Sequence, residues 1–331
     1  MSKKRPSQLE LKSPAAKSLK SAQIDMAIYG GGRIGNELRE LMKHRTAADA
    51  PLTPPDIFAF DQMHYHGTKS LDDAIQHLGI EPGATVMDVG SGYGGPARYL
   101  AWKHGCKVVA VELQGDVSRQ AEEISKLVKL DAKLTHVTAN VIDFHGMSAE
   151  DKVSKLKVCN ELGQLDHMIS LLAILHIAEE DRLAAYQAVY GVLRPGGSMY
   201  VEDFYLRDAE GEEAKEGERR AAVPLTVGDS KMLSTEIACP HVPTRAEYTH
   251  TLLKAGFTEV AIRDVSESWG TYTAERAQQF LVNRERHVRV HGEEMYQSLQ
   301  RFYDTMATLY RNGRLGGAVI TATKPPDAVV C

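Results

Sequence analysis

The chain has 331 residues, of which 43% are hydrophobic and 25% charged, and its formal net charge at pH 7 is −5. This length supplies enough apolar residues for one large or two modest buried cores. The negative charge argues against a nucleic-acid backbone as substrate. No apolar run approaches the ~18 residues that a membrane span requires.

The N-terminal residues are basic and polar, and they lack the apolar core of a secretory signal. The four cysteines are scattered, without pairing or metal-ligand spacing, which is typical of a reducing compartment. These features predict a cytoplasmic protein. Residues 1–55 are expected to form a partly disordered arm with a short helix, ahead of one domain over residues 56–331.

The first glycine pattern of the chain is GGGRIG at residues 30–35, a formal match to the GxGxxG dinucleotide fingerprint. That fingerprint requires a second strand that ends in an acidic residue about 20 residues later. Pro51, Pro54 and Pro55 exclude a central strand there. The pattern therefore favours a glycine turn before a helix over residues 36–44. A nicotinamide-dependent oxidoreductase remains an alternative.

Strand and helix patterns alternate from about residue 70 onward. Strands are predicted at 84–89, 107–113, 134–138, 165–170, 198–204, 258–265 and 317–323. Helices are predicted at 70–79, 96–104, 116–129, 148–160, 180–192, 244–255 and 273–311. This alternation predicts an α/β fold, Rossmann-like, with a doubly wound parallel sheet of seven strands. The segments 205–243 and 273–311 are expected to be helical insertions that form lid elements on the substrate side.

The second glycine pattern is VMDVGSGYGG at residues 86–95, where a short apolar strand leads into a glycine turn and a helix that starts near Pro96. Glycines allow a backbone to approach a ligand closely, and the helix directs free N–H groups at the same place. The next strand ends at Glu112, which is placed to accept hydrogen bonds from a ribose diol. Together these features predict a site for a nucleotide-like cofactor.

Residues 88–94 (DVGSGYG) resemble the first signature motif of class I S-adenosylmethionine-dependent methyltransferases. With the stretches 94–100, 174–177 and 194–197, the chain is similar to sarcosine/dimethylglycine and phosphoethanolamine N-methyltransferases over roughly residues 60–331. The resemblance implies S-adenosyl-L-methionine as cofactor and S-adenosyl-L-homocysteine as product. It implies these cofactor-binding residues: Gln62, Tyr65, Asp88, Gly90, Ser91, Gly92, Gly94, Glu112, Leu113, Asn140, Val141 and Leu171.

His176 is the candidate catalytic base. In the phosphoethanolamine enzymes, the histidine of an Ala-Ile-Leu-His stretch pairs with an N-terminal tyrosine as a catalytic latch. Here His176 matches that histidine, and Tyr65 is the best candidate for the tyrosine. Methyl transfer from a sulfonium is an in-line displacement that demands positioning, exclusion of water and a free lone pair on the acceptor. His176 follows strand four at the carboxyl edge of the sheet, where ligands bind. The alternative is a core histidine bonded to a backbone carbonyl.

The acceptor expected from the resemblance is a small molecule methylated at an amine nitrogen. However, Leu172 stands where both relatives carry an acidic residue, which puts a cationic amine in doubt. Residues 94–98 (GGPAR) also resemble sterol methyltransferases, so carbon or sulfur methylation of an apolar molecule is the alternative. A non-catalytic cofactor-binding scaffold is another. The candidate substrate residues are His66, Glu202, Asp203 and His241. For Glu202 and Asp203, which end strand five, the alternative is that they cap the edge of the sheet.

No metal ion is expected, because His64 and His66 lack a supporting carboxylate or cysteine cluster. No nucleic-acid partner is expected either, and a homodimer is compatible with the sequence.

Overall fold

A mixed seven-stranded sheet forms the centre of the protein. The computed structural model describes residues 32–43, 45–46, 50–148, 151, 154, 165–207 and 223–327. The strands are β1 Thr85–Val89, β2 Lys107–Glu112, β3 Leu134–Thr138, β4 Leu165–Leu171, β5 Leu193–Leu206, β6 Thr258–Asp264 and β7 Leu315–Thr323. Their order is β3-β2-β1-β4-β5-β7-β6. The order reverses between β1 and β4, and open α/β sheets bind ligands at such a point.

The predicted Rossmann-like, doubly wound architecture is confirmed, with one difference in strand direction. Strands β1 to β5 pair in parallel. The expectation of a wholly parallel sheet is wrong for β7, which runs antiparallel to both β5 and β6. An antiparallel strand near the edge of an otherwise parallel sheet is common, because it needs no crossover helix on the sheet face.

The helices cover both faces of the sheet. They are α1 Arg33–Lys43, α2 Phe58–Asp61, α3 Thr68–Leu78, α4 Gly95–Lys103, α5 Gly115–Leu127, α6 Glu179–Val192, α7 Val227–Glu236, α8 Arg245–Ala255, α9 Ser266–Val282, α10 Arg284–His291 and α11 Glu293–Arg311. Short 3-10 helices span Pro54–Asp56, Val141–Phe144 and Ile174–His176. Within the described ranges, no helix combines the length and apolar character needed to cross a bilayer.

Two helix predictions differ from the structure. The stretch predicted at 273–311 begins earlier, at Ser266, and is divided into α9, α10 and α11. The division falls at Asn283 and at Gly292, whose φ of +87° does not continue a helix. The helix predicted at 148–160 lies largely outside the described residues. At its start, the Asp151 amide donates to Ser148 Oγ at 3.1 Å.

Apolar side chains of the central strands alternate between two cores. Val86 and Val108 face the core that α3, α4 and α5 cover, whereas Met87 and Val109 face the core that α6 and α8 cover. A third apolar cluster, which includes Trp269, lies between α7, α9, α11 and the strand ends. Burial on both faces explains why β1 and β2 read as continuous apolar runs in the sequence.

Helix α1 follows the first glycine pattern. Gly32 has a φ of +71° and precedes the helix, whereas Gly35 lies inside it. The predicted start at residue 36 is therefore three residues late; Gly30 and Gly31 lie outside the described residues. The predicted glycine turn before a helix thus fits the described part of this pattern.

A fully buried ion pair joins the segment before α3 to the helix after the glycine turn. Arg98 Nη2 lies 3.0 Å from Asp61 Oδ2, and both side chains have zero exposure. Arg98 also donates to the carbonyl oxygens of Tyr93 at 2.6 Å and Ala121 at 3.2 Å. A Cβ on Gly95 would lie 2.3 Å from the Asp61 carbonyl oxygen, so only glycine permits this contact. Segment 58–62 is therefore packed directly on the glycine turn.

Replacing Arg98 with methionine should destabilise the protein strongly. Arg98→Met leaves the Asp61 carboxylate buried without its cation, and breaking such a pair costs about 3–5 kcal/mol. Denaturant unfolding followed by circular dichroism measures the loss. Lys126→Met, which breaks the exposed pair with Glu122, is the control and should leave the midpoint unchanged. Equal midpoints for the two variants would contradict a structural role of the buried pair.

Candidate active site

The glycine turn after β1 is bound to the neighbouring strand by its own backbone. The amides of Gly90 and Ser91 both donate to the Val111 carbonyl oxygen, at 2.8 and 3.1 Å. Gly90 has a φ of +72°, and a Cβ there would lie 2.2 Å from the Ala173 Cβ. The turn therefore brings the carboxyl ends of β1 and β2 and the segment after β4 into contact.

Glu112 closes this turn from the end of β2. Its two carboxylate oxygens accept hydrogen bonds from the amides of Gly92 and Gln114, each at 2.9 Å. Burial raises the pKa of Glu112 above its ordinary value. The carboxylate retains acceptor capacity for a further donor.

A cavity of about 270 Å³ lies against the carboxyl ends of the strands. We call it the strand-edge cavity. Among the predicted cofactor residues, Gly90, Glu112, Leu113, Asn140 and Val141 line it. The other lining residues are Val89, Val111, Gln114, Ala139, Ile142, Ala173, Ile174, His176, Ile177, Ala178 and Asp181. Asp88, Ser91, Gly92, Gly94 and Leu171 do not line it.

Three buried polar atoms around the glycine turn have no hydrogen-bond partner among the described residues. They are Asp88 Oδ2, Ser91 Oγ and Gln62 Oε1. Burial, with a smaller contribution from the charge of Glu112, raises the pKa of Asp88 to about 7. Unsatisfied buried polar groups are rare in folded proteins, so three of them around one turn indicate a site for a polar ligand.

A second cavity of about 60 Å³ lies between segment 62–65, the end of β4 and helices α9 and α11. We call it the aromatic cavity. It is lined by Arg33, Gln62, Met63, His64, Tyr65, Leu172, Leu175, His176, Phe204, Ile237, Tyr272, Thr273, Arg276, Phe302, Tyr303 and Met306. The predicted residues Gln62 and Tyr65 belong to this cavity and not to the strand-edge cavity.

His176 lines both cavities. Its Nδ1 lies 3.0 Å from the Ala238 carbonyl oxygen, which can only accept, so Nδ1 carries the proton. Burial lowers the pKa of His176 below its ordinary value, which favours the neutral ring. In this tautomer, Nε2 carries a free lone pair. A hydrogen bond to a backbone carbonyl is what a core histidine would form. In this structure the same hydrogen bond also orients the His176 ring, which lies between the two cavities.

The backbone conformation of Leu172 sends the chain toward His176. Leu172 has a φ of +56°, in the left-handed region that non-glycine residues rarely adopt, and its amide donates to the Glu202 carbonyl oxygen at 2.9 Å. Such outliers persist only where surrounding contacts hold them, and they are concentrated at functional sites. Leu172 turns the chain out of β4 into the 3-10 helix that ends at His176.

Tyr65 lies in an aromatic cluster. Its ring centroid is 4.9 Å from that of Trp269 and 5.5 Å from that of Tyr272. Burial raises the pKa of Tyr65 well above its ordinary value. Tyr65 and His176 both line the aromatic cavity, but no hydrogen bond joins them in the described structure. His66, with a φ of +57°, lines neither cavity, and its Nε2 lies 3.0 Å from Ser268 Oγ.

The other three predicted substrate residues do not line either cavity. The Glu202 carboxylate accepts hydrogen bonds from Ser70 and Tyr200. Asp203 is fully buried on the opposite face of β5 and accepts the Phe204 amide at 2.8 Å. The His241 ring lies 3.6 Å from Glu179. Sequence position alone suggested that the acids at the end of β5 face the acceptor; the strand's alternation instead directs them into opposite core layers.

Several residues of the aromatic cavity belong to no recognisable sequence motif. Arg33 comes from α1 and Arg276 from the middle of α9, far apart in the chain. Tyr303 lies on α11 between them. An arginine on an amphipathic helix usually faces solvent, so only its partner helices reveal that it lines a cavity.

Two groups of histidine and carboxylate side chains have potential metal-ligand atoms within 4.8 Å of one another. The first is Glu37 with His287 and His291, and the second is Glu179 with His241 and Glu247. In the first group, Glu37 is already bound by both terminal nitrogens of Arg286, at 3.1 and 2.6 Å. Its negative charge is therefore compensated within the protein.

The sequence matches the family described as mycolic acid cyclopropane synthetase over residues 57–316. It is 28% identical over 162 residues to a sterol 24-C-methyltransferase of Saccharomyces cerevisiae, covering 48% of this chain and 38% of that protein. The chain thus spans about two fifths of that relative's length.

Two solved structures share the fold. Phosphoethanolamine N-methyltransferase 2 of Haemonchus contortus, in complex with phosphomonomethylethanolamine and S-adenosylhomocysteine, superposes with a TM-score of 0.66 at 16% identity, over 87% of this chain and 60% of that one. A putative sarcosine dimethylglycine methyltransferase of Galdieria sulphuraria superposes with a TM-score of 0.59 at 17% identity, over 78% and 84%. The resemblance predicted from the sequence is confirmed.

Stability should fall between about pH 4.5 and 7 because of Glu202. Burial raises its pKa from 4.5 to about 7, so the folded state binds the proton more tightly than the unfolded state. The native state therefore loses up to about 3 kcal/mol of relative stability as pH rises through this window. Glu202→Gln should flatten that decline in thermal melts from pH 4.5 to 8.

The exposed Glu81→Gln serves as the control for this series. An unchanged pH dependence in Glu202→Gln would show that Glu202 does not retain its proton in the folded protein.

Proposed function

Because this chain belongs to the mycolic acid cyclopropane synthetase family, we propose that it transfers a methyl group from S-adenosylmethionine to a small-molecule acceptor. The observation that carries the proposal is the position of His176, which lines both the strand-edge cavity and the aromatic cavity. In this arrangement the strand-edge cavity and the adjoining glycine turn hold the cofactor, and the aromatic cavity holds the acceptor. We place the reaction in the cytoplasm, consistent with the buried, unpaired Cys106 and Cys239.

The residues around the glycine turn fit this cofactor. Asp88 Oδ2 and Gln62 Oε1 are unsatisfied acceptors that suit an ammonium group, and the Ser91 hydroxyl suits a carboxylate. Glu112 retains acceptor capacity for the ribose hydroxyls, and Asn140 and the other residues of the strand-edge cavity suit an adenine ring. When bound, S-adenosylmethionine supplies an electrophilic methyl group whose leaving group is a neutral thioether.

His176 acts as the general base in this proposal. The hydrogen bond from Nδ1 to the Ala238 carbonyl fixes the ring, and the lowered pKa keeps the ring neutral near pH 7. Nε2 then removes the proton from an ammonium, hydroxyl or thiol acceptor, which frees the lone pair that attacks the methyl group. The aromatic and aliphatic side chains of the aromatic cavity, Tyr65 among them, exclude water from this attack.

The acceptor atom can be nitrogen, as in the amine methyltransferases that the chain resembles, or carbon. The apolar lining of the aromatic cavity favours the second candidate, since Leu172, Leu175, Phe204, Ile237 and Met306 offer no polar contact to an acceptor. A carbon acceptor attacks with π electrons and loses a proton after methyl transfer, so the same base serves both reactions.

His176→Ala should lower methyl transfer by about 10²–10⁴-fold, the usual contribution of a positioned base. Cofactor affinity should change little, because the strand-edge cavity keeps its other residues. Transfer of label from methyl-labelled S-adenosylmethionine into a fractionated metabolite extract measures the rate, and calorimetry with S-adenosylhomocysteine measures affinity. The exposed His250→Ala is the control. An unchanged rate in His176→Ala would remove His176 from the mechanism.

Gly92→Val should abolish cofactor binding. Gly92 has a φ of +52°, which a β-branched residue adopts only under strain, and its amide holds Glu112 at 2.9 Å. The substitution therefore distorts the turn and also breaks the hydrogen bond that the Gly92 amide donates to the Glu112 carboxylate. Calorimetric titration with S-adenosylhomocysteine tests this, with Gly228→Ala in α7 as the control. Wild-type affinity in Gly92→Val would show that the glycine turn does not contact the cofactor.

A further inference from the structure

The aromatic cavity contains two arginines and no carboxylate. Its lining includes Arg33 from α1 and Arg276 from α9, while Asp and Glu are absent from it. The strand-edge cavity differs in this respect, because Glu112 and Asp181 line it. Arg33 has 6% exposure, and Arg276 is half-buried. His64 and His176, which also line the aromatic cavity, have pKa values lowered by burial and add no charge at neutral pH.

Neither arginine forms an ion pair within the described ranges. Arg33 Nη1 contacts Met63 Sδ at 3.1 Å, and both guanidinium groups hydrogen-bond to the Tyr303 side chain. The Arg276 guanidinium carbon lies 5.3 Å from the Tyr303 ring centroid. Burying a cation without an anionic partner is costly, and such an arrangement points to a ligand that supplies the negative charge.

The acids of α1 do not supply that charge, because α10 binds them. Glu37 is paired with Arg286 and His291, and Glu40 with Arg289. Glu37 raises the pKa of Arg276, but its carboxylate is already bound by the Arg286 guanidinium. These pairs dock α1 against α10 and place Arg33 at the aromatic cavity. Helix α1 precedes residues 57–316, so the family match does not include it.

We propose that Arg33 and Arg276, with the Tyr303 hydroxyl, bind an anionic group of the methyl acceptor, either a carboxylate or a phosphate monoester. The inference rests on the proposed methyl transfer and names its substrate class. The acceptor is a small acid whose nucleophilic atom lies toward His176 and whose anionic group lies toward α1. Planar guanidinium groups bind both oxyanions through paired hydrogen bonds.

The electrostatics of Tyr303 agree with this assignment. Burial alone raises the pKa of its hydroxyl, but the adjacent guanidinium groups of Arg33 and Arg276 outweigh that effect and lower the pKa. The two arginines therefore stabilise negative charge at the place where the acceptor's anion is expected. They also disfavour an acceptor whose only charge is an ammonium group, which is consistent with Leu172 in place of an acid.

Calorimetry on the full chain tests the subsite, with and without saturating S-adenosylhomocysteine. The probes are butyrate, propyl phosphate and neutral butyramide. We expect butyrate or propyl phosphate to bind more tightly than butyramide. The anion with the higher affinity identifies the anionic group as a carboxylate or a phosphate monoester. Arg33→Met and Arg276→Met should each lower the affinity for that anion about tenfold or more, which is the usual effect of losing a charged hydrogen bond.

The control is Arg301→Met, which removes an exposed arginine of α11 that hydrogen-bonds to Ser298; this variant should bind the anion as the wild type does. Arg276→Lys keeps the charge without the planar fork and should show an intermediate loss, provided that circular dichroism confirms folding. Equal binding of butyrate, propyl phosphate and butyramide by the wild type would overturn the anionic subsite. Methyl transfer and S-adenosylhomocysteine binding are measured separately, so the proposed function would survive that result.

Discussion

The site depends on the buried ion pair between Asp61 and Arg98. Arg98 belongs to the helix that begins at the glycine turn, and Asp61 belongs to the segment that carries Gln62 and Tyr65 into the aromatic cavity. Because neither side chain is exposed, separating them would leave two charges in a medium that solvates them poorly. The pair therefore joins the two parts of the site, so that one interaction positions both the wall of the aromatic cavity and the glycine turn. Residue 95 must be glycine for the Asp61 segment to pack this closely, because a side chain there would collide with the Asp61 backbone.

A second constraint operates at the end of β4. Leu172 leaves the strand in a left-handed conformation, and four residues later His176 lies between the two cavities. The hydrogen bond to Ala238 connects that ring to the segment after α7, outside the parallel part of the sheet. The His176 ring is thus oriented by the segment after α7, while the strand-edge cavity is built from the ends of the parallel strands. Such a division is consistent with a family whose members share a donor and differ in acceptor.

Helix α1 contributes chemistry as well as packing. Its acidic face is neutralised by α10, and its first residue, Arg33, joins Arg276 in a cavity otherwise made of aromatic and aliphatic side chains. The apolar lining alone would favour a sterol-like or acyl acceptor. The two uncompensated cations favour a smaller molecule with an acidic group. The charge of the cavity, and not its apolar area, therefore discriminates between these two classes of acceptor.

The sequence by itself determined the succession of strands and helices along the chain, the doubly wound fold and the glycine turn with Glu112 at the end of the next strand. Each of these depends on local periodicity or on a motif within one βαβ unit. Only the tertiary structure decided which side chains meet at the acceptor cavity. Glu202 and Asp203 were expected near the acceptor from their position at a strand end, but neighbouring residues on a strand face opposite layers. Arg33 and Arg276 were not predicted, since they meet only when α1 docks on α10. The physical reason is that backbone hydrogen bonding and apolar burial are encoded over a few residues, whereas the charge of a cavity depends on which distant helices are packed around it.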